Sequence, residues 1–148
     1  MKKIRYLVYH EIIEIYQEGI EKFGGFGAIR DNDSLLSCVV NPRRIFAGND
    51  LYPTLAEKAG ILVFSLLKNH PFVDGNKRTA FVAGRIFLRL NGYDVKSLDE
   101  YESLIWKIAR SEATRDDVFD WFRLSIRTCD EIEEKRGEVN ESEKHFPM

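Results

Sequence analysis

Apolar residues recur at helical spacing along most of the chain, and strand signals are sparse. Val8, Ile12, Ile13, Tyr16, Ile20 and Phe23 mark one face of a first helix, which Gly24-Gly25 stops. Asp33 or Ser34 is placed to cap a short second helix. That helix should end near Asn41-Pro42, because the residue before a proline leaves the helical region. Residues 43–52 are mixed in character, with Gly48-Asn49-Asp50 as a turn signal, and read either as a loop or as a small hairpin.

The middle of the chain is better punctuated. Thr54-Leu55-Ala56-Glu57 has the form of a capping box, and residues 59–67 are apolar on nearly every face. A helix apolar all round belongs at the centre of a domain. It should stop at Asn69-His70, since Pro71 follows. A second apolar helix is predicted from about Asn76 to Leu90, closed by Asn91-Gly92. Ser97-Leu98-Asp99-Glu100 offers another capping box, and a further helix beginning after Thr114 would turn Val118, Trp121, Phe122 and Ile126 inward. The expected architecture is an all-α helical bundle whose central pair flanks Pro71. Trp106, Trp121 and Phe122 are expected in its core, and no internal repeat or low-complexity tract is visible.

Composition narrows this picture. One domain is expected from 148 residues, and 44% hydrophobic with 31% charged residues is ordinary for a globular protein. The longest apolar runs are too short to cross a bilayer, and no apolar signal core follows Met1-Lys2-Lys3, so a cytoplasmic protein is expected. Cys38 and Cys129 are isolated and read as small packing residues in a reducing compartment. The net charge is −2, but residues 130–148 carry seven acids against three bases, which leaves the remainder at +2. Neither value suits a general nucleic-acid binder. The chain is therefore divided into residues 1–129 and a charged C-terminal extension, 130–148, either mobile or one last exposed helix. His145 is expected to be solvated and the acidic extension inert, with contact to a partner as the alternative.

His70-Pro71-Phe72-Val73-Asp74-Gly75-Asn76-Lys77-Arg78 joins the two central helices and is the one stretch where polar groups crowd between apolar elements. Each residue has an ordinary explanation taken singly: a helix-end histidine, an aspartate cap, a turn glycine, two solvated cations. Together they point to a phosphate site. Lys77 and Arg78 fall in the first turn of a helix, where the macrodipole disfavours a cation by about 0.3–1 kcal/mol. An anion lying between them and the free N–H groups reverses that sign. Asp74 would repel such an anion unless a divalent cation lay between, and Mg²⁺ held by one carboxylate and phosphate oxygens fits. His70 would then be placed to take a proton from an attacking hydroxyl.

His70 to Arg78 resembles the signature of the Fic/Doc family, whose Fic branch carries H-P-F-x-x-G-N-G-R-x-x-R. The surroundings are also similar to those of death-on-curing (Doc-like) toxins: Phe23-Gly24-Gly25, Tyr52-Pro53-Thr54, Glu57-Lys58-Ala59 and Phe87-Leu88-Arg89-Leu90-Asn91-Gly92-Tyr93. The likeness extends from about Ile4 to Phe122. It implies a Fic-like helical bundle in which His70 is the general base and Asp74 the Mg²⁺ ligand. Gly75 and Asn76 would shape the anion nest, Lys77 and Arg78 would hold phosphates, and Phe72 would anchor the loop. Residues 43–52 would occupy the place of the target-docking flap. Lys77 stands where AMP-transferring members have a second glycine, and Phe81 where they have a second arginine. In both respects the chain resembles the Doc branch, which phosphorylates a threonine of elongation factor Tu. Pro71 and Gly75 instead look like the AMP-transferring branch. The resemblance thus implies a toxin that moves a phosphoryl group from ATP to a Ser/Thr hydroxyl of a translation factor, with protein AMP transfer as the alternative. A non-catalytic binding subunit is the reading from another class. No S/T-x-x-x-E-G/N inhibitory motif is present, so restraint by a separate antitoxin protein is implied, with no direct nucleic-acid or membrane partner.

His10-Glu11-Ile12-Ile13-Glu14 is one residue short of the H-E-x-x-H zinc signature and is read as an amphipathic helix face.

Overall fold

Seven helices account for most of the described residues, 3–143, of the computed structural model. They are α1 (Tyr9–Phe23), α2 (Asn32–Val40), α3 (Leu55–Asn69), α4 (Asn76–Leu90), α5 (Leu98–Ala109), α6 (Arg115–Ser125) and α7 (Cys129–Glu143). A 3-10 turn at Asn41–Arg43 follows α2. Two short antiparallel pairs complete the fold: β1 (Ile45–Phe46) with β2 (Asn49–Asp50), and β3 (Tyr93–Val95) with β4 (Ile126–Thr128). The all-α expectation holds, and no described helix is long and apolar enough to cross a membrane.

Helix α3 is the axis of the bundle, packed by α4, α6, α2 and α5, while α1 lies against α4. Its burial follows from its sequence, with Ala59, Leu62, Val63 and Leu66 all in the main core. Thr54 caps it, accepting the Glu57 N–H at 3.1 Å, which is the threonine half of the expected capping box; the Glu57 carboxylate accepts the Thr54 hydroxyl at 3.1 Å in place of its N–H. Lys58 is an exception the apolar pattern hides. It is 1% exposed and donates to Asp50 Oδ2 at 3.1 Å and to the Pro42 carbonyl at 3.3 Å, tying α3 to the hairpin. Close approach of α3 and α4 depends on Gly84, because a Cβ there would stand 2.6 Å from Val63 Cγ2 and 2.2 Å from the Tyr101 hydroxyl.

Four sequence expectations are corrected. Asp31, not Asp33 or Ser34, caps α2, accepting the Ser34 N–H at 3.1 Å. Of the two readings of residues 43–52 the hairpin holds, over residues 45–50, but its turn is Ala47-Gly48, one residue earlier than the expected Gly48-Asn49-Asp50. Both turn residues have positive φ, at 51° and 81°, which suits the twist of a two-residue hairpin. Ile126 is not on the helix after Thr114; α6 ends at Ser125 and Ile126 pairs with Val95. Trp106 is not core. Helix α5 buries Tyr101, Leu104, Ile105 and Ile108, leaving Trp106 on the opposite face at 43% exposed. Trp121 and Phe122 do pack in the core region, with Phe122 fully buried.

The strand pair β3–β4 brings Asp94 inside, where it accepts hydrogen bonds from Arg85 (Nε 3.1 Å, Nη2 2.8 Å) and Arg89 (Nη1 3.1 Å). Burial pushes this carboxyl up, but the Arg85 bonds and the Val95 N–H outweigh it and hold its pKa below the ordinary aspartate value. Glu11, in the stretch that falls one residue short of H-E-x-x-H, accepts from Arg5 Nη2 at 2.7 Å and from the Val8 N–H at 2.9 Å, and so serves the start of α1. Cys38 is buried, and desolvation pushes its thiol up to about 11, in keeping with a packing role. The charged extension begins as α7, with Ile132 buried; residues 144–148, including His145, lie outside the described residues.

Candidate active site

The loop between α3 and α4 is held by contacts that leave its charged side chains free for other work. Phe72 is fully buried and stacks on Tyr16, with ring centroids 3.8 Å apart. Asn76 spends its amide on the same residue: Nδ2 donates to the Phe72 carbonyl at 2.8 Å, and Oδ1 accepts the Phe72 N–H at 3.1 Å. Asn76 is therefore a buried staple that fixes the shape of the turn. On the outer side, residues 28–31 run antiparallel to the loop. The Val73 N–H donates to the Ala28 carbonyl at 2.9 Å, and the Arg30 N–H to the Pro71 carbonyl at 2.7 Å.

Two residues of the loop are left-handed. His70 ends α3 at φ 52°, ψ 56°, and Gly75 precedes α4 at φ 84°, ψ 13°. At Gly75 the conformation demands glycine, and a Cβ would also press on Arg78 Nη2 at 3.2 Å. No side chain caps α4. The first bond of the α4 ladder runs from Thr79 N–H to Gly75 carbonyl, so the N–H groups of residues 76–78 precede any intrahelical acceptor. The α4 start therefore carries the positive end of a 15-residue helix dipole without a capping oxygen. Asp74 does not fill that role. Its Oδ1 accepts only the neighbouring Gly75 N–H at 2.8 Å, and Oδ2 faces the Gly25 backbone, where an added Cβ would come within 2.6 Å.

The site residues named from the sequence come together. His70, Asp74, Gly75, Asn76, Lys77 and Arg78 line one cleft of about 410 Å³, closed by Leu67, Val73 and Ala109. A second cleft of about 350 Å³ shares Lys77 and Arg78 and adds Phe81, Glu102, Ile105 and Trp106. Both cations are aimed by aromatic rings: Lys77 Nζ sits 4.7 Å from the Trp106 centroid, and the Arg78 guanidinium 5.1 Å from that of Phe23. Arg78 Nη2 reaches the Gly24 carbonyl at 3.4 Å, but its Nε is buried without a hydrogen-bond partner. That nitrogen lies against Gly19 of α1, where an added Cβ would stand 2.6 Å from it, so α1 fixes the stem of Arg78 while the residue lines the cleft. Among the described residues no cluster of three or more His, Cys, Asp or Glu stands ready to hold a metal by itself. A lone exposed carboxylate instead matches a cation delivered on a phosphate, because Mg²⁺ keeps most of its water and takes one or two protein carboxylates.

Two contributors escaped the sequence. Trp106 gives the cleft an aromatic edge on α5, and Arg30 grips the end of α3 from 40 residues away. No local signal marks either, since both act through contacts made only in the folded chain.

A helical domain whose two central helices are joined by this loop belongs to the Fic/DOC family, whose sequence profile matches residues 6–88. Among known proteins, the chain is 36% identical over 108 residues to the Toxin Doc of Mycolicibacterium smegmatis, covering 71% of this chain and 83% of the relative. It is 27% identical over 120 residues to the Protein kinase doc of Escherichia phage P1, covering 81% and 94% respectively.

Proposed function

We propose that the protein is a Doc-like toxin that transfers a phosphoryl group from a nucleoside triphosphate such as ATP to a Ser/Thr hydroxyl of a translation factor, and that a separate antitoxin restrains it. The observation that carries the reading is the gathering of His70, Asp74, Lys77 and Arg78 in one cleft at the start of α4, a helix end that no side chain caps. The names of the two relatives, a toxin and a protein kinase, support the same direction.

In this reading the phosphates lie over the uncapped start of α4, against the N–H groups of residues 76–78, with Lys77 and Arg78 offsetting the charge that builds on the transferred group. The acceptor oxygen forms a bond to the terminal phosphorus as the bridging P–O bond breaks, and the nucleoside diphosphate leaves with that electron pair. The hydroxyl proton passes to the His70 imidazole. Mg²⁺, held by Asp74 and phosphate oxygens, would supply charge neutralisation on the leaving phosphates. Phe81, lining the adjoining cleft, puts an apolar wall where AMP-transferring members have an arginine, which favours transfer of the terminal group.

Incubation with γ-labelled or α-labelled ATP and cell extract tests this. Label on protein from the γ position supports it, and label from the α position alone replaces it with AMP transfer. Equal growth arrest by His70→Ala and the wild type would instead favour a non-catalytic binding role.

A further inference from the structure

We infer that Arg30 is a positioning residue for His70, acting through the backbone that carries the imidazole; the inference rests on the reading of His70 as the base. The need for such a residue follows from the way α3 ends. A helix that stops on a left-handed residue is normally closed by the N–H of the residue after it, which turns back onto the last turn. Here that next residue is Pro71, which has no N–H. His70 is also not glycine, so its left-handed φ of 52° must be imposed by its surroundings.

Arg30 supplies the missing donors. Its Nε donates to the His70 carbonyl at 2.6 Å and its Nη2 to the Asn69 carbonyl at 2.7 Å. The planar guanidinium is suited to this because one rigid fork can reach two successive carbonyls, and its charge complements the negative end of the α3 dipole. Arg30 is itself anchored on both sides. Its N–H and that of Asp31 both donate to the Pro71 carbonyl, at 2.7 and 3.1 Å, and the Asp31 side chain caps α2. The arginine therefore links a pinned segment to the two peptide groups that set the direction of the His70 side chain. Without it, His70 can relax toward the extended region that a residue before proline prefers, which swings its Cβ away from the cleft. That change moves the proton acceptor and leaves Lys77, Arg78 and the α4 N-terminus where they were.

The prediction is a split between turnover and binding. Phosphoryl transfer from labelled ATP is measured over a range of ATP concentrations, with cell extract as the acceptor source, for wild type, Arg30→Met, Arg30→Lys and His70→Ala. Arg30→Met should lower the apparent kcat about tenfold or more with the KM for ATP within twofold of wild type. A wild-type kcat, or a KM that rises in step with a falling kcat, overturns the proposal. Arg30→Lys guards against a variant that does not fold. One ammonium serves one carbonyl and cannot bridge both, so this variant should melt with wild type and show an intermediate kcat; a wild-type kcat overturns the proposal here too. His70→Ala separates the two layers. If it transfers at the wild-type rate, the base assignment fails and takes the Arg30 role with it. If it is inactive while Arg30→Met is fully active, the positioning role alone falls.

Discussion

Gly84→Ala puts one methyl group where the central helices and α5 meet. The added Cβ would stand 2.2 Å from the Tyr101 hydroxyl and 2.6 Å from Val63 Cγ2, both well inside contact distance. Neither neighbour has an easy retreat. Val63 and Tyr101 are fully buried, and the Tyr101 hydroxyl donates to the Phe81 carbonyl at 2.8 Å, with the Ala80 carbonyl at 3.3 Å. Overpacking of this kind costs about 1–3 kcal/mol. Displacing the hydroxyl from its buried acceptors costs about 1–3 kcal/mol more. Against this, alanine gains about 1 kcal/mol over glycine in a helix. The net expectation is a loss of about 3 kcal/mol, or roughly 6–12 °C in Tm for a domain of this size. Thermal and urea unfolding followed by circular dichroism would measure it. Gly137→Ala in α7, where an added Cβ meets nothing within 4 Å, is the control and should not destabilise. A Gly84→Ala protein that melts at or above the wild-type temperature would refute the claim that this glycine sets the approach of α3 to α4.

Three further expectations concern other parts of the molecule. Asp94→Asn should cost about 2–3 kcal/mol at pH 7, because it leaves Arg85 and Arg89 facing a neutral group. Since the folded-state pKa of Asp94 is depressed, its contribution is present above about pH 4 and disappears as pH falls through the folded value, so the wild-type and variant urea midpoints should converge in acid. Asn76→Ala removes both partners of the Phe72 backbone and should lower stability by about 2–3 kcal/mol; an unchanged urea midpoint would mean the staple is dispensable. The Cys38 thiol, buried and with its pKa pushed up to about 11, should resist alkylation at pH 7.5 until the protein unfolds, and rapid labelling of the native protein, mapped by mass spectrometry, would contradict the packing described.

The parts legible in the sequence were those decided by local chemistry. Thr54, Pro71, Gly75 and Ser97 mark helix ends through groups within a few residues of them, and the structure uses each for that purpose. The motif residues were also legible, because a nine-residue turn between two apolar helices leaves their charges nowhere else to gather. Choices among chemically equal neighbours were not legible. Asp31, Asp33 and Ser34 can all cap a helix, and only the pairing of residues 28–31 with the motif loop selects Asp31. Trp106 lies on a helix with apolar residues on several faces, so its size suggested core while its angular position put it outside. The β3–β4 pair joins three-residue strands some thirty positions apart, too short for alternation to show. Lys58 and Asp94 are buried charges whose partners come from other elements, and no pattern in their own helix or strand announces them. Arg30 belongs to the same class, since its carbonyl partners are fixed by tertiary packing alone.

Calorimetric titration with a non-hydrolysable ATP analogue and magnesium tests the central claim most directly, comparing the wild type with a Lys77→Ala/Arg78→Ala double variant. The account predicts a saturable, magnesium-dependent heat in the wild type and its loss in the variant. Equal binding by both proteins, or no binding by the wild type at millimolar nucleotide, would contradict the assignment of this loop as a triphosphate site.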